Sequence, residues 1–205
     1  MIRKYLKKNL IYIILILLIT SIFFLVFNSN INKYILNFDL NIANCIKKIV
    51  NNRFTIVFIM ITNLVAVYIP ILIGMCMFIK KRKELKILGL IMLSTGIFTL
   101  AIKTLIARPR PLAAIVSIPK NYSFPSGHTL ISTVFYLTLA YMLVNNKNKN
   151  EKKLTYFYMF LLILSVGFSR IYLGVHFFTD VTFGLIYGLL IHKLSTGIIK
   201  MYNKN

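Results

Sequence analysis

His176 and Asp180 stand four residues apart at the approach to an apolar stretch, a spacing at which two side chains share one helix face and can touch. A carboxylate that accepts from one imidazole nitrogen sets the tautomer and leaves the other nitrogen's lone pair free. An imidazole held that way is a nucleophile or a base. An unpaired charged aspartate in an apolar run costs about 2.5–3.5 kcal/mol on insertion scales, so Asp180 asks for a partner and a purpose. A structural cap at a helix start would also account for the pair, and the pair alone does not separate the two readings.

A second histidine, His128, follows Pro125-Ser126-Gly127 and opens another apolar stretch. Helix N-termini carry unpaired N–H groups and the positive end of the macrodipole, which suits them to anions. Ser126 can cap such a helix, and Gly127 lacks the side chain that would hold a ligand at a distance. Alone, Ser-Gly-His is an ordinary N-cap. Three cations accompany the imidazoles: Lys103, Arg110 and Arg170. Arginine grips phosphate oxygens in pairs and lysine acts as a point charge, so three cations match the three equatorial oxygens of a phosphoryl group in transfer. Pro109 and Pro111 disfavour continued helix and free the backbone to turn Arg110 inward. Arg108 lies in the same Arg-Pro-Arg-Pro run, which leaves open whether it joins the site or snorkels to a membrane interface.

Other polar residues carry less. The acids are four, Asp39, Glu84, Glu151 and Asp180, and solvated pairing inside Lys-rich connectors accounts for Glu84 and Glu151. His192, at the far end of its apolar run, and Asn63, alone in another, read as contacts between helices. Three histidines and four acids scattered along the chain show no metal-ligand spacing. Cys45, in a connector, and Cys76, in an apolar run, do not suggest a disulfide framework.

The elements that must carry these residues follow from composition. Apolar residues make up 58% of the 205 and charged residues 14%, more apolar surface than a soluble fold of this size buries. Six apolar stretches run roughly over 9–28, 54–79, 85–107, 127–144, 154–171 and 178–200, each close to the ~20 residues that cross a bilayer core as helix. The first has a basic start but is too long for a cleaved signal and lacks a small-residue cleavage site. The net charge of +21 could suggest nucleic acid. The basic residues instead concentrate in short connectors, as orientation signals do. Arg3, Lys4, Lys7 and Lys8, then Lys80, Lys81, Arg82, Lys83 and Lys86, then Lys147, Lys149, Lys152 and Lys153 are separated by even numbers of crossings. They share one side, expected to be cytoplasmic together with both termini. All the candidate reacting residues then face the opposite side. Segment 29–53 places Ile31, Ile35, Phe38, Ile42, Ile46 and Ile49 at helical spacing, predicting an amphipathic helix on the outer membrane surface or against the bundle end.

The residues also fall into three motifs: Lys103-x6-Arg110-Pro111, Pro125-Ser126-Gly127-His128, and Ser169-Arg170-x5-His176-x3-Asp180. In order and spacing these resemble the type 2 phosphatidic acid phosphatase superfamily, related to acid phosphatases and vanadium haloperoxidases. The six-stretch layout resembles its short bacterial membrane members across essentially the whole chain. The resemblance implies His176 as nucleophile with Asp180 orienting it, and His128 as acid and then base. It implies Lys103, Arg110 and Arg170 around the phosphate, with Ser126 and Gly127 adding donors, and neither metal nor cofactor.

The expectation is therefore an all-α integral membrane protein, one domain over 1–205, built as a six-helix bundle with an amphipathic outer-surface segment after the first helix. Its expected activity is hydrolysis of a lipid phosphate or diphosphate through a phosphohistidine, at the extracytoplasmic face of the plasma membrane, with membrane lipids and not nucleic acid as partners. Undecaprenyl diphosphate comes first among substrates, phosphatidate and phosphatidylglycerophosphate close behind. Transfer to an acceptor other than water, or lipid-phosphate binding without turnover, would use the same residues.

Overall fold

Hydrocarbon offers no partner to backbone N–H and C=O groups, so each long apolar run folds as a helix that satisfies its own. The computed structural model describes residues 2–73, 83–112, 114–118, 120–144 and 147–202, and these contain helices and no strand. The helices are α1 (Ile2–Phe27), α2 (Asn32–Lys47), α3 (Asn52–Asn63), α4 (Lys83–Ile106), α5 (Gly127–Leu143), α6 (Lys149–Tyr172) and α7 (Phe178–Tyr202). Helix α3 continues through a π-helical segment, Leu64–Tyr68, and remains helical to Ile73.

Among the described residues there are thus seven helices, not six. The additional one is α2, with Asp39 buried, which falls in the segment where the sequence suggested an amphipathic helix on the membrane surface or against the bundle end, outside the count of six. Helix α6 also begins earlier than its apolar run. Asn148 Oδ1 accepts from the Glu151 amide at 2.9 Å and Glu151 Oε2 accepts from the Asn148 amide at 3.2 Å. This reciprocal cap draws the Lys-rich stretch into helix, so Glu151 is a capping residue and not simply a solvated partner of lysines. Cys76, Lys80, Lys81 and Arg82 lie outside the described residues.

Among the described residues, five helical stretches are long and apolar enough to cross a membrane: Asn9–Phe27, Asn52–Ile73, Lys86–Ile106, Lys149–Tyr172 and Phe178–Tyr202. The chain is a multi-pass membrane protein. Helix α5 is different: it has 17 residues and is wrapped by protein. Eleven of them, from Thr129 through Ala140, are buried, and α5 packs chiefly on α7 and α6, then on α4. A helix surrounded by other helices need not match the hydrocarbon thickness itself.

Small residues let α5 and α7 approach closely. A Cβ on Gly184 would stand 2.9 Å from the Ser126 carbonyl oxygen, and one on Gly188 would stand 2.5 Å from Thr133 Cβ. The pair forms a Gly-x3-Gly face, the close-contact device of membrane helices. It sets the His128 helix against the Asp180 helix, and the Ser126 amide donates to the Asp180 carbonyl at 3.0 Å. The C-termini of α4 and α6 and the N-termini of α5 and α7 consequently meet at one end of the bundle.

Candidate active site

A cavity of about 450 Å³ opens at that end, and Lys103, Arg110, Gly127, His128, Arg170 and His176 all line it. Six of the eight residues expected from the sequence therefore face one space. Its remaining wall is largely apolar, with Ala66, Val67, Gly96, Leu100 and Ile131 from α3 and its π-helical continuation, α4 and α5, and with Thr99 and Asn121 as its polar members.

His176 sits in the short turn between α6 and α7. Its Nδ1 is 3.5 Å from Asp180 Oδ2, longer than a hydrogen bond, while Nε2 faces Arg110 Nη1 at 3.2 Å. A guanidinium can only donate, so Nε2 accepts there and the ring proton lies on Nδ1, toward the carboxylate. Burial pushes the His176 pKa down to about 4, with the Asp180 contact and charge opposing and Arg110 and Lys103 adding to the fall. The imidazole is neutral at neutral pH, with the Nε2 lone pair on the Arg110 side.

Asp180 does not touch the cavity. It is fully buried behind His176, and its Oδ2 accepts from the Phe177 amide at 2.9 Å, tying the carboxylate to the start of α7. Ser126 also stays out of the cavity lining. Its hydroxyl pairs with Thr129 Oγ1 at 3.0 Å and makes no cap bond to the helix amides; its backbone amide goes to Asp180.

Lys103 and Arg110 are held by backbone carbonyls, most of them in the segment that leads into α5. Lys103 Nζ donates to the carbonyls of Tyr122 at 2.5 Å and Ser123 at 3.1 Å. Arg110 donates from Nε to the Asn121 carbonyl at 2.8 Å and from Nη1 to the Val175 carbonyl at 2.7 Å. Arg170 Nη1 donates to Thr62 Oγ1 at 2.9 Å, while its buried Nε has no partner among the described residues. A buried guanidinium N–H left open beside a cavity is a donor prepared for an anion.

The two arginines of the Arg-Pro-Arg-Pro run part company. Helix α4 ends at Ile106, Ala107 takes a left-handed backbone (φ 50°), and the chain turns. Arg110 then enters the cavity, whereas Arg108 points behind it to Asp39 and Asp180, each at 2.6 Å. Neither the cavity nor the membrane interface receives Arg108.

A sequence profile of the PAP2 superfamily matches residues 84–204, more than half of the chain, and takes in all three motifs. The chain belongs to the PAP2 superfamily. It is 35% identical over 130 residues to phosphatidylglycerophosphatase B of Bacillus subtilis (strain 168), an alignment covering 62% of this chain and 64% of that protein. Among solved structures, it is similar to a transmembrane PAP2-type phosphatidylglycerolphosphate phosphatase from Bacillus subtilis, with TM-score 0.79 and 29% identity over 92% of this chain and 96% of that one. It is also similar to Aquifex aeolicus LpxE, with TM-score 0.57 and 26% identity over 77% of this chain and 93% of that one.

Four residues of this PAP2 site were not singled out by sequence: Asp39, Thr62, Asn121 and Thr179. Asp39 alone left a trace, as one of four acids in a basic chain. The others are ordinary polar residues whose roles depend on partners that only the folded chain brings to them.

Proposed function

We propose that this PAP2 protein hydrolyses the phosphate ester of a membrane lipid through a phosphohistidine on His176. The observation that carries the reading is one cavity whose polar end joins two imidazoles to three cations and whose other wall is largely apolar. In the first step Nε2 of His176 attacks phosphorus and the P–O bond to the lipid breaks; His128, whose pKa burial and the charges of Arg170, His176, Arg110 and Lys103 lower to about 3, is protonated once the bound phosphate anion offsets those charges, and gives that proton to the departing oxygen. In the second, His128 takes a proton from water as it attacks the phosphohistidine, releasing phosphate and free His176. Lys103, Arg110 and Arg170 offset charge on the phosphoryl oxygens, which is where catalysis of phosphoryl transfer chiefly lies. Asp180 holds the ring and favours the positive charge that His176 gains. The Gly127 backbone allows close approach at the start of α5.

One observation puts phosphatidylglycerophosphate ahead of undecaprenyl diphosphate as substrate: the similar proteins from Bacillus subtilis are named for it. The site is proposed to face the extracytoplasmic side of the plasma membrane, with both termini cytoplasmic. In support, Lys147, Lys149, Lys152 and Lys153 lie at the end of α5 and α6 opposite to the cavity, as cytoplasmic connectors do. The exposed Ile31, Tyr34 and Phe38 near and on α2 suit contact with the lipid surface on the cavity side.

Phosphate release is to be measured from phosphatidylglycerophosphate, phosphatidate and undecaprenyl diphosphate with purified wild-type, His128→Ala and His176→Ala proteins, with and without chelator. Chelator-resistant turnover that both substitutions abolish is expected. Full turnover by His176→Ala would end the proposal, and faster release from the diphosphate would reverse the order of substrates.

A further inference from the structure

We propose that Asp39 and Arg108 are positioning residues for the His176–Asp180 pair, linking α2 to the reacting imidazole through an Asp39–Arg108–Asp180 chain of charge. The inference rests on the phosphatase reading above and adds to it two residues outside all three motifs' expected roles.

The geometry is closed on every side. Asp180, Asp39 and Arg108 are 0%, 1% and 3% exposed, so none can borrow water to satisfy its charge. Arg108 lies between the acids, with Nη1 donating to Asp180 Oδ1 and Nη2 to Asp39 Oδ2, both at 2.6 Å. Thr179, next to Asp180, ties the same groups together: its amide donates to Asp39 Oδ1 at 3.0 Å and its hydroxyl accepts from Arg108 Nη1 at 2.8 Å. The guanidinium is covered by the rings of Phe27 and Phe177, 4.8 and 4.2 Å from its central carbon, which keep solvent from loosening the pair.

Two consequences follow for His176. With Oδ1 of Asp180 held by Arg108 and Oδ2 by the Phe177 amide, the carboxylate cannot rotate, and Oδ2 must face Nδ1 of the imidazole. The second consequence concerns charge. An arginine paired with Asp180 alone would cancel the negative charge that supports a positively charged imidazole. Asp39 shares the guanidinium, so two carboxylates and one cation leave a net negative charge behind His176. The cavity side, by contrast, carries Lys103, Arg110 and Arg170. The imidazole therefore stands between a cationic front, where phosphate binds, and an anionic back. Because Arg108 does not line the cavity, its effect on turnover must pass through Asp180 and not through substrate.

The test compares Asp39→Asn, Arg108→Lys, Asp180→Asn and the double variant Asp39→Asn/Asp180→Asn, purified as the full chain in micelles, with phosphatidylglycerophosphate. Asparagine keeps the size of Asp39 and removes its charge; lysine keeps the charge of Arg108 but cannot bridge two acids. Each is expected to lower kcat on the order of 10²-fold, as a small misplacement does, with KM nearly unchanged. In the double variant the loss beyond Asp180→Asn should be at most roughly threefold, because residues acting as one unit are not additive. Wild-type kcat in Asp39→Asn, a loss carried by KM, or losses that multiply in full would overturn the inference while leaving the phosphatase reading intact. Wild-type kcat in Asp180→Asn would instead count against the catalytic assignment itself. A readout free of turnover covers the case in which no substrate is cleaved: nitrogen NMR of the three histidines, assigned by single substitution. His176 should be the Nδ1–H tautomer in the wild type and a mixture in Asp39→Asn and Arg108→Lys. An unchanged tautomer in both folded variants would overturn the inference.

Discussion

Nη1 of Arg110 stands 3.2 Å from Nε2 of His176, so the proposed nucleophile already faces, and accepts from, the donor that would hold a phosphate oxygen. The same Nη1 donates to the Val175 carbonyl, which fixes the guanidinium.

Replacing Arg110 by Gln should therefore reduce kcat by about 10²–10³-fold, the usual effect of deleting one donor to developing charge. Lysine at this position should restore little, since it cannot present two parallel donors. Steady-state kinetics on the lipid substrate test this. Near-wild-type kcat in Arg110→Lys would mean that charge alone, and not the planar fork, is what the site uses.

The pH profile gives a second prediction. Burial lowers the His176 pKa from 6.5 to about 4, against the opposing influence of Asp180 and with that of Arg110 and Lys103. A lowered pKa means the neutral nucleophile persists as pH falls, and is lost only near the new value. The acid limb of kcat/KM, which reports the free enzyme, should lie near pH 4 once the substrate's own second ionisation at about 6 is divided out. A corrected limb at 6.5 would show that the imidazole is not desolvated as described.

The packing of α5 on α7 supplies a third. Alanine at Gly188 would place its Cβ 2.5 Å from that of Thr133, on a backbone-close contact with no flexible atom to yield. Thermal unfolding in micelles should show a loss of about 1–3 kcal/mol, the range for overpacking, with reduced turnover because His128 and Asp180 ride on these helices. Gly89→Ala is the contrast: its added Cβ meets nothing within 4 Å, and helix propensity predicts a neutral or slightly stabilising change. Equal effects at both positions would contradict the close approach.

Gly96 tests the apolar wall. It lines the cavity, and a Cβ there also meets nothing within 4 Å. Gly96→Leu should fill that space, raising KM about tenfold for a two-chain lipid phosphate, as a few lost apolar contacts would. A short water-soluble phosphate ester should be nearly unaffected. If both substrates respond alike, the wall does not hold the lipid portion.

Local pattern alone was enough to read the helical membrane class, the three motifs, and the residues that share the cavity. Long apolar runs have one solution in a bilayer, and motif residues such as His176 and Asp180 are neighbours on the chain, so spacing suffices. Asp39 escaped because its partners Arg108 and Asp180 are 69 and well over a hundred positions away, and periodicity carries no sign of such pairs. Where Arg108 goes was illegible for a different reason: both arginines precede a proline, and the spacing from Lys103 selects Arg110 without saying what Arg108 meets. What distinguishes them is the left-handed turn at Ala107 and the acids waiting behind the site. The sequence left α2 between the membrane surface and the bundle end because its apolar stripe is what sequence displays, whereas its buried carboxylate acquires a purpose only when Arg108, after α4, and Thr179, on α7, close around it. Helix formation and motif chemistry are short-range properties and were set by the residues themselves; which buried charges meet depends on long-range packing, and the tertiary structure alone decided that.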